Sequence, residues 1–341
     1  MTAVIPESAT PVEMPAETRR KVTDLFTRDE IKMLTARSDL MGFWAVGSTW
    51  AVIAGAFALM AWGSTQPLVL AIPAFVLGLA VIGGRQLCLA ILMHDASHGT
   101  LFRTKWLNDI LADWACARPI WNDLQKYKLH HFVHHTKTGT AEDTDITLTE
   151  PFPCSRSSLL RKFARDVSGL TGLKFFVGRF LMDAGYLKWT IANDVTWLPK
   201  EGVTPLQRVV MFLRNGTPTF IVSGLLFAAL WASGHPWLFA AWVFAYMSPF
   251  SLFVRIRSMA EHACTEKTTD MFRNTRTTRA GPLARATVAP IHVNYHIEHH
   301  VMASVPYFRL PVMHRMLRER NAVPEAPGYL DVLRVVSSGH A

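Results

Sequence analysis

The sequence predicts an all-α integral membrane protein: four transmembrane helices in two hairpins, with a helical cap on one side carrying a histidine-rich site for two metal ions. Three observations carry that expectation: two long windows free of charge, the positions of Lys and Arg around them, and histidines gathered into three compact clusters. Half of the 341 residues are apolar and 18% are charged, against roughly a quarter in an average soluble domain. The formal charge is +9. Such a composition excludes a disordered chain, a collagen-like repeat and a coiled coil.

No Lys, Arg, Asp or Glu occurs from Met41 to Gly84 or from Asn215 to Val254. A helix needs about 20 apolar residues to cross a hydrocarbon layer roughly 30 Å thick, so each window holds two crossings. Turn-forming residues break each window near its middle, at Gly63-Ser64-Thr65-Gln66-Pro67 and at Ser233-Gly234-His235-Pro236. Trp62, Trp231 and Trp237 flank the breaks, where aromatic rings favour the membrane–water interface. The expected spans lie near Met41–Trp62, Leu68–Ala90, Thr217–Trp231 and Trp237–Val254.

The hairpin tips lack Lys and Arg. The opposite ends carry Arg19, Arg20, Lys21, Lys32, Arg37, Arg103, Lys105, Arg208, Arg214, Arg255 and Arg257. By the positive-inside rule those ends, both termini and the long segment between the hairpins are cytoplasmic. Anionic lipid headgroups account for the basic residues, and no nucleic-acid partner is expected. Residues 1–18, with Pro6, Pro11 and Pro15, read as a loose tail and not as a signal peptide. An interfacial helix follows, in which Val22, Leu25 and Phe26 share a face. Residues 1–40 thus precede a membrane domain over 41–320, and 321–341 form a C-terminal tail. Cys88, Cys116, Cys154 and Cys264 have no CxxC spacing and fit reduced thiols. Between the hairpins, Phe163, Val167, Leu170, Leu173, Phe176, Val177 and Phe180 recur near helical spacing but are interrupted by charges. That pattern predicts amphipathic helices on the interface and no fifth crossing.

Eight of the 14 histidines form three clusters: His94 and His98; His131, His134 and His135, preceded by His130; and His296, His299 and His300. Residues three or four apart share a helix face, so each cluster converges, while adjacent histidines point to different places. A catalytic zinc usually takes three protein ligands, and eight imidazoles exceed what one ion can use. The absence of thiolates argues against iron–sulfur and structural zinc, leaving zinc, copper, iron and nickel open. Taken alone, His94 and His98 would also suit an intramembrane zinc protease, with Asp95 where a Glu base usually stands. A metal carrier is the non-enzymatic reading. His130, His235, His292, His314 and His340 are assigned surface, interface or packing roles.

These motifs resemble the membrane fatty acid desaturase family, whose signature is HxxxH, HxxHH and a late HxxHH near four spans. The likeness runs from about Leu40 to Met316, and is most specific in Asn294-Tyr295-His296-Ile297-Glu298-His299-His300, then Ser304-Val305-Pro306-Tyr307 and Leu310-Pro311. It implies two Fe ions held almost entirely by histidine, O2 as co-substrate, and a ninth ligand after the fourth span, matched by His262. Some members carry Asn four residues before that histidine; Ser258 stands there in this chain. Asp95, Glu298, Glu261, Asp143 and Asp145 are near enough in sequence to orient ligand rings, although Asp143 and Asp145 read equally well as solvated interface charges. The expected activity is desaturation of a lipid or acyl-thioester chain, or hydroxylation or ketolation of a fatty acid, carotenoid or other lipid on the same scaffold. Electrons are expected from a separate ferredoxin or cytochrome b5 type donor docking on basic residues such as Arg273, Arg276 and Arg279.

Overall fold

In a computed structural model, which describes residues 21–189, 195–199 and 201–339, almost every element is helical. The expected tail over 1–18, together with Arg19, Arg20 and His340, lies outside the described residues. Two short helices, α1 (Val22–Leu25) and α2 (Arg28–Leu34), replace one interfacial helix. Thr27 separates them, because its hydroxyl caps α2 while Glu30 reaches back to the Thr27 N–H. Phe26 and Leu34 are buried against Ile297, Met302, Met313 and Leu317, which ties the N-terminal region to the last histidine cluster.

Helices α3 (Asp39–Gly63) and α4 (Leu68–Ser97) follow, separated by the expected turn. Small residues bring them close: a Cβ on Gly63 would meet Ala74, and one on Gly78 would meet Met60. At 1.5 Å per residue α4 is about 45 Å long, half as long again as a hydrocarbon core. The excess carries His94 beyond the apolar zone. Two π-helical turns, Leu107–Leu111 and Asp113–Ala117, lead to α5 (Leu124–Lys137). The carboxylate of Asp113 accepts from Arg118 Nε at 2.8 Å and from the Leu124 backbone N–H at 2.9 Å, while Asp123 caps the new helix.

A short α6 (Ile146–Thr149) precedes the amphipathic pair α7 (Arg156–Val167) and α8 (Leu170–Asp183). Their apolar residues Leu160, Val167, Leu170, Leu173, Val177 and Phe180 remain exposed, as a bilayer-facing surface requires. A small antiparallel pair, β1 (Leu187–Trp189) with β2 (Val195–Trp197), has no counterpart in the sequence-based expectation. Next come α9 (Pro205–Ala232) and α10 (Leu238–Ala245), the latter running through a π turn at Tyr246–Phe250 into α11 (Ser251–His262). Pro249 sits in that turn and packs against Gly83 of α4, where any side chain would collide. Four helices are long and apolar enough to cross a membrane, and no fifth occurs among the described residues.

The remainder is compactly helical: α12 (Pro282–Ala286), α13 (His296–Val301), α14 (Leu310–Glu319) and α15 (Tyr329–Val336). The segment read as a C-terminal tail contains α15, whose Val332 and Val336 are buried against Met259 of α11 and Ala263 just beyond its end. Tail residues pack there because an apolar stripe on α15 meets one on α11. Trp50 stacks on Trp242 at 6.1 Å and donates to the Ala115 carbonyl at 2.9 Å, joining α3, α10 and the π segment in the main core.

Candidate metal centre

Four elements deliver histidines to one buried place: the overshooting end of α4, the middle of α5, the end of α11 and the whole of α13. Nine imidazoles meet there in two groups. His94, His98, His131, His135 and His299 form one; His134, His262, His296 and His300 form the other, and within each the ligand atoms lie within 4.8 Å of one another. The partition follows helix geometry. On α5 the i, i+4 pair His131 and His135 serves the first group, and the intervening His134 turns to the second. On α13 the arrangement is reversed: His296 and His300 serve the second group and His299 the first. Each HxxHH therefore links both groups.

The rings approach nitrogen to nitrogen. Nε2 of His131 lies 3.0 Å from Nε2 of His98 and 3.0 Å from Nε2 of His135, which in turn is 3.0 Å from Nε2 of His299. Nε2 of His296 and Nε2 of His262 are 2.7 Å apart. A neutral imidazole has one donor and one acceptor nitrogen, so the four converging Nε2 atoms of His98, His131, His135 and His299 cannot all satisfy one another with protons alone. Buried Nε2 atoms of His94 and His300 have no hydrogen-bond partner. Burial, reinforced by neighbouring imidazoles, holds His131, His296, His299 and His300 well below the usual histidine range, and His135 down to about 2. Neutral rings with inward lone pairs are the form that binds a cation, and the donor set fits an imidazole-loving divalent metal in each group.

Outward-facing nitrogens are held by carboxylates. Asp95 meets Nδ1 of His94 at 2.8 Å, and Asp143 meets Nδ1 of His134 at 2.8 Å. Each bond places a proton on Nδ1 and leaves Nε2 as the inward lone pair. Burial opposes charge on His134, yet the bond from Asp143 and the charges of Asp145 and Asp143 raise its pKa. Asp145 binds Nε2 of His130 at 2.9 Å and stands 3.9 Å from Nδ1 of His134. Glu261 is fixed by Arg257 Nε at 2.7 Å and lies 3.6 Å from Nδ1 of His296.

Glu298 departs from the sequence-based reading. Its carboxylate accepts from Thr277 Oγ1 at 2.6 Å and meets Nδ1 of His314 at 2.7 Å, and touches none of the nine histidines. Fully buried on α13, it ties that helix to α14 through His314 and to the Thr277 hydroxyl. His130 and His314 thus support the site although they stand outside the three motifs. Tyr127 does so as well, stacking on His131 at 5.1 Å. The nearest signal in the sequence is helical spacing, which places Tyr127 four residues before His131. Ser258 donates to the Val254 carbonyl at 3.0 Å, an internal helix bond.

The three arginines expected to receive an electron donor differ in their surroundings. Arg276 is turned inward, with Nη2 donating to the Ala263 carbonyl at 2.8 Å and Nη1 directed at the carbonyls of Met259 and Ala260, so it caps the C-terminal end of α11. Arg273 pairs with Glu266, and Arg279 lies 3.8 Å from Glu325. Arg276 is thus withdrawn into the fold, whereas the Arg279 side chain remains 68% exposed at the surface.

Comparison with known proteins agrees with the geometry. The family description "Fatty acid desaturase" matches residues 67–331. The chain is similar to a dihydrorhizobitoxine desaturase of Bradyrhizobium elkanii, 25% identical over 75% of this chain and 69% of that protein. It is also similar to a beta-carotene 4-ketolase of Protosiphon botryoides, 24% identical over 68% of this chain and 49% of the relative. Similarity to an sn-1 oleoyl-lipid 12-desaturase of Synechocystis extends over 94% of this chain and 88% of the relative, at 23% identity. With four membrane-length helices, three histidine motifs and a family match across most of its length, the chain belongs to the fatty acid desaturase family.

Proposed function

We propose that the chain is an O2-dependent acyl desaturase that introduces a double bond into a lipid chain at a di-iron centre. The observation that carries the reading is the division of nine histidines into two neighbouring groups, each fed by both HxxHH motifs. The similarity to the sn-1 oleoyl-lipid 12-desaturase over nearly the whole length supports an acyl chain as substrate. Iron, with O2, would supply the oxidising power needed to break unactivated methylene C–H bonds. The overall change balances as –CH2–CH2– plus O2, two electrons and two protons giving –CH=CH– and two waters.

The chain's own residues do the positioning. His94, His98, His131, His135 and His299 would hold one ion, and His134, His262, His296 and His300 the other. Asp95 and Asp143 keep two of these rings in the ligating tautomer. Burial of all nine rings to at least an intermediate degree limits water at the reacting face. In this reading the four spans form two hairpins with both termini and the histidines on the cytoplasmic side, where a reduced ferredoxin or cytochrome b5 type donor is available.

The test is mass spectrometry of total lipids from a host expressing the chain, with His299→Ala as control. A species two hydrogens lighter, absent from the control, is the expected result. The similarity to a ketolase supports a second reading, oxygenation of a lipid ring or chain. A product one oxygen heavier, or a new carbonyl, would replace desaturation by that reading.

A further inference from the structure

Away from the histidines, α9 and α10 enclose an apolar cavity of about 440 Å³ together with α8 and residues 119–121. Phe220 and Gly224 form one wall, Phe239 and Trp242 the other, and Trp121 and Phe176 also line the cavity. Pockets of this size, roughly 300–1,000 Å³, bury small ligands. Along the wall from Thr219 to Phe227 helix α9 rises by about 12 Å, a length suited to part of an extended hydrocarbon chain. Both walls belong to membrane-length helices, so the natural occupant comes from the bilayer.

One cation lies next to Trp121 and Phe176, just outside the groove lining. Arg179 follows Phe176 by three residues on α8 and so shares its face. Its Nη2 donates to Asn122 Oδ1 at 2.9 Å, beside Trp121. Its Nε is buried with no partner, and no carboxylate pairs with Arg179 among the described residues. Asp183, the nearest acid on the same helix, accepts instead from Trp121 Nε1 at 2.9 Å. A guanidinium with no carboxylate partner favours a bound anion at its accessible nitrogens. Trp121 itself has φ 51° and ψ 46°, a left-handed conformation rare for an aromatic residue, maintained by that bond and by the edge of Phe176 at 4.7 Å.

We propose that this groove holds one acyl chain of an anionic glycerophospholipid whose phosphate pairs with Arg179. The second chain has a surface on the neighbouring face of α9, where Ile221 and Leu225 are exposed. This site goes beyond the proposed reaction, since it uses no histidine and predicts a lipid retained whether or not metal is bound.

The test is native mass spectrometry of the full chain purified in detergent and equilibrated with equal phosphatidylglycerol and phosphatidylcholine. One phospholipid per chain should survive, with phosphatidylglycerol preferred on the order of tenfold. Arg179→Gln should abolish the preference, and Arg179→Lys should keep part of it. A Cβ on Gly224 meets nothing within 4 Å, so Gly224→Leu projects into open groove and should remove the retained lipid. Metal content measured on the same samples separates local loss from misfolding. Retention without headgroup preference in the unaltered protein, retention of a free fatty acid instead, or identical lipid content in folded Arg179→Gln and Gly224→Leu would overturn the proposal. Failure of the desaturase reading would leave these outcomes unchanged, because none depends on turnover.

Discussion

Asp143 is the residue through which the two metal groups can be told apart. It holds Nδ1 of His134 at 2.8 Å, and His134 belongs to the group that has four imidazoles, whereas its neighbour has five. Removing the acceptor in Asp143→Ala frees the ring to rotate and lets the proton move to Nε2, which destroys a ligand lone pair. Loss of such an outer partner typically costs about 10–100-fold in metal affinity. That range corresponds to about 1.4–2.7 kcal/mol. The four-imidazole group has no spare ligand, so it should release its ion first. Asp95→Ala perturbs His94 in the same manner but leaves four other imidazoles in place, and its effect should be smaller. The assay is chelator titration of the iron-loaded protein, with iron per chain read by elemental analysis. Asp143→Ala should show one ion leaving at about 10–100-fold lower chelator and the other unchanged. Equal retention of both ions in Asp143→Ala and the unaltered chain would refute the argument that this carboxylate sets the ring. Simultaneous loss of both would refute the independence of the two groups.

Other perturbations follow from the same geometry. Thr277→Val leaves the fully buried Glu298 short of a donor and should lower stability by about 1–3 kcal/mol, measured by thermal melting in detergent. Gly172→Ala drives a Cβ into the Met247 backbone and should cost about 1–3 kcal/mol or displace α8, seen as reduced yield of folded protein. In metal-free protein, the depressed histidines are neutral when folded and protonated when unfolded at low pH. Stability from this source is complete above the unfolded pKa near 6.5 and falls below it, at about 1.4 kcal/mol per pH unit for each group. Melting temperatures from pH 5 to pH 8 should show that slope, and a flat profile would count against neutral buried rings. Arg276→Ala should reduce folded yield and leave the KM for an electron donor unchanged, since its guanidinium faces carbonyls and not solvent.

Much of this was legible because the physics is local. Charge-free windows mark spans whatever else the chain does, since a charge in hydrocarbon is costly. The helices run beyond the charge-free windows: α9 begins at Pro205 and includes Arg208 and Arg214, and Arg208 buries itself against the carbonyl of Gly185. The clusters at 94–98, 131–135 and 296–300 were legible through helix periodicity, whereas His262 was reached only through the family resemblance; a lone histidine has no spacing to betray it. Its place among His134, His296 and His300 depends on the path of α11 past α5 and α13, a tertiary fact. Arginines at 273, 276 and 279 look alike in a sequence, and only the fold separates a helix cap from an ion pair.

Glu298 shows what adjacency in sequence leaves undetermined. Flanked by Ile297 and His299, it looks like an acid serving the rings beside it. On a helix, however, residues one apart face directions about 100° different, so its carboxylate points away from the metal groups. There it meets Thr277 and His314, 21 and 16 residues distant in sequence. The division of labour is general to this site. An acid one position from a ligand can still reach it, as Asp95 reaches His94 within the last turn of α4. Acids from a separate loop, as Asp143 does, approach from outside the ligand ring and can fix its tautomer. A Glu298→Gln variant should therefore lose stability more than metal affinity, while Asp143→Asn should do the reverse. Matched melting and chelator titrations on the two variants would show that crossing, and parallel losses in both would remove the distinction between the two acids.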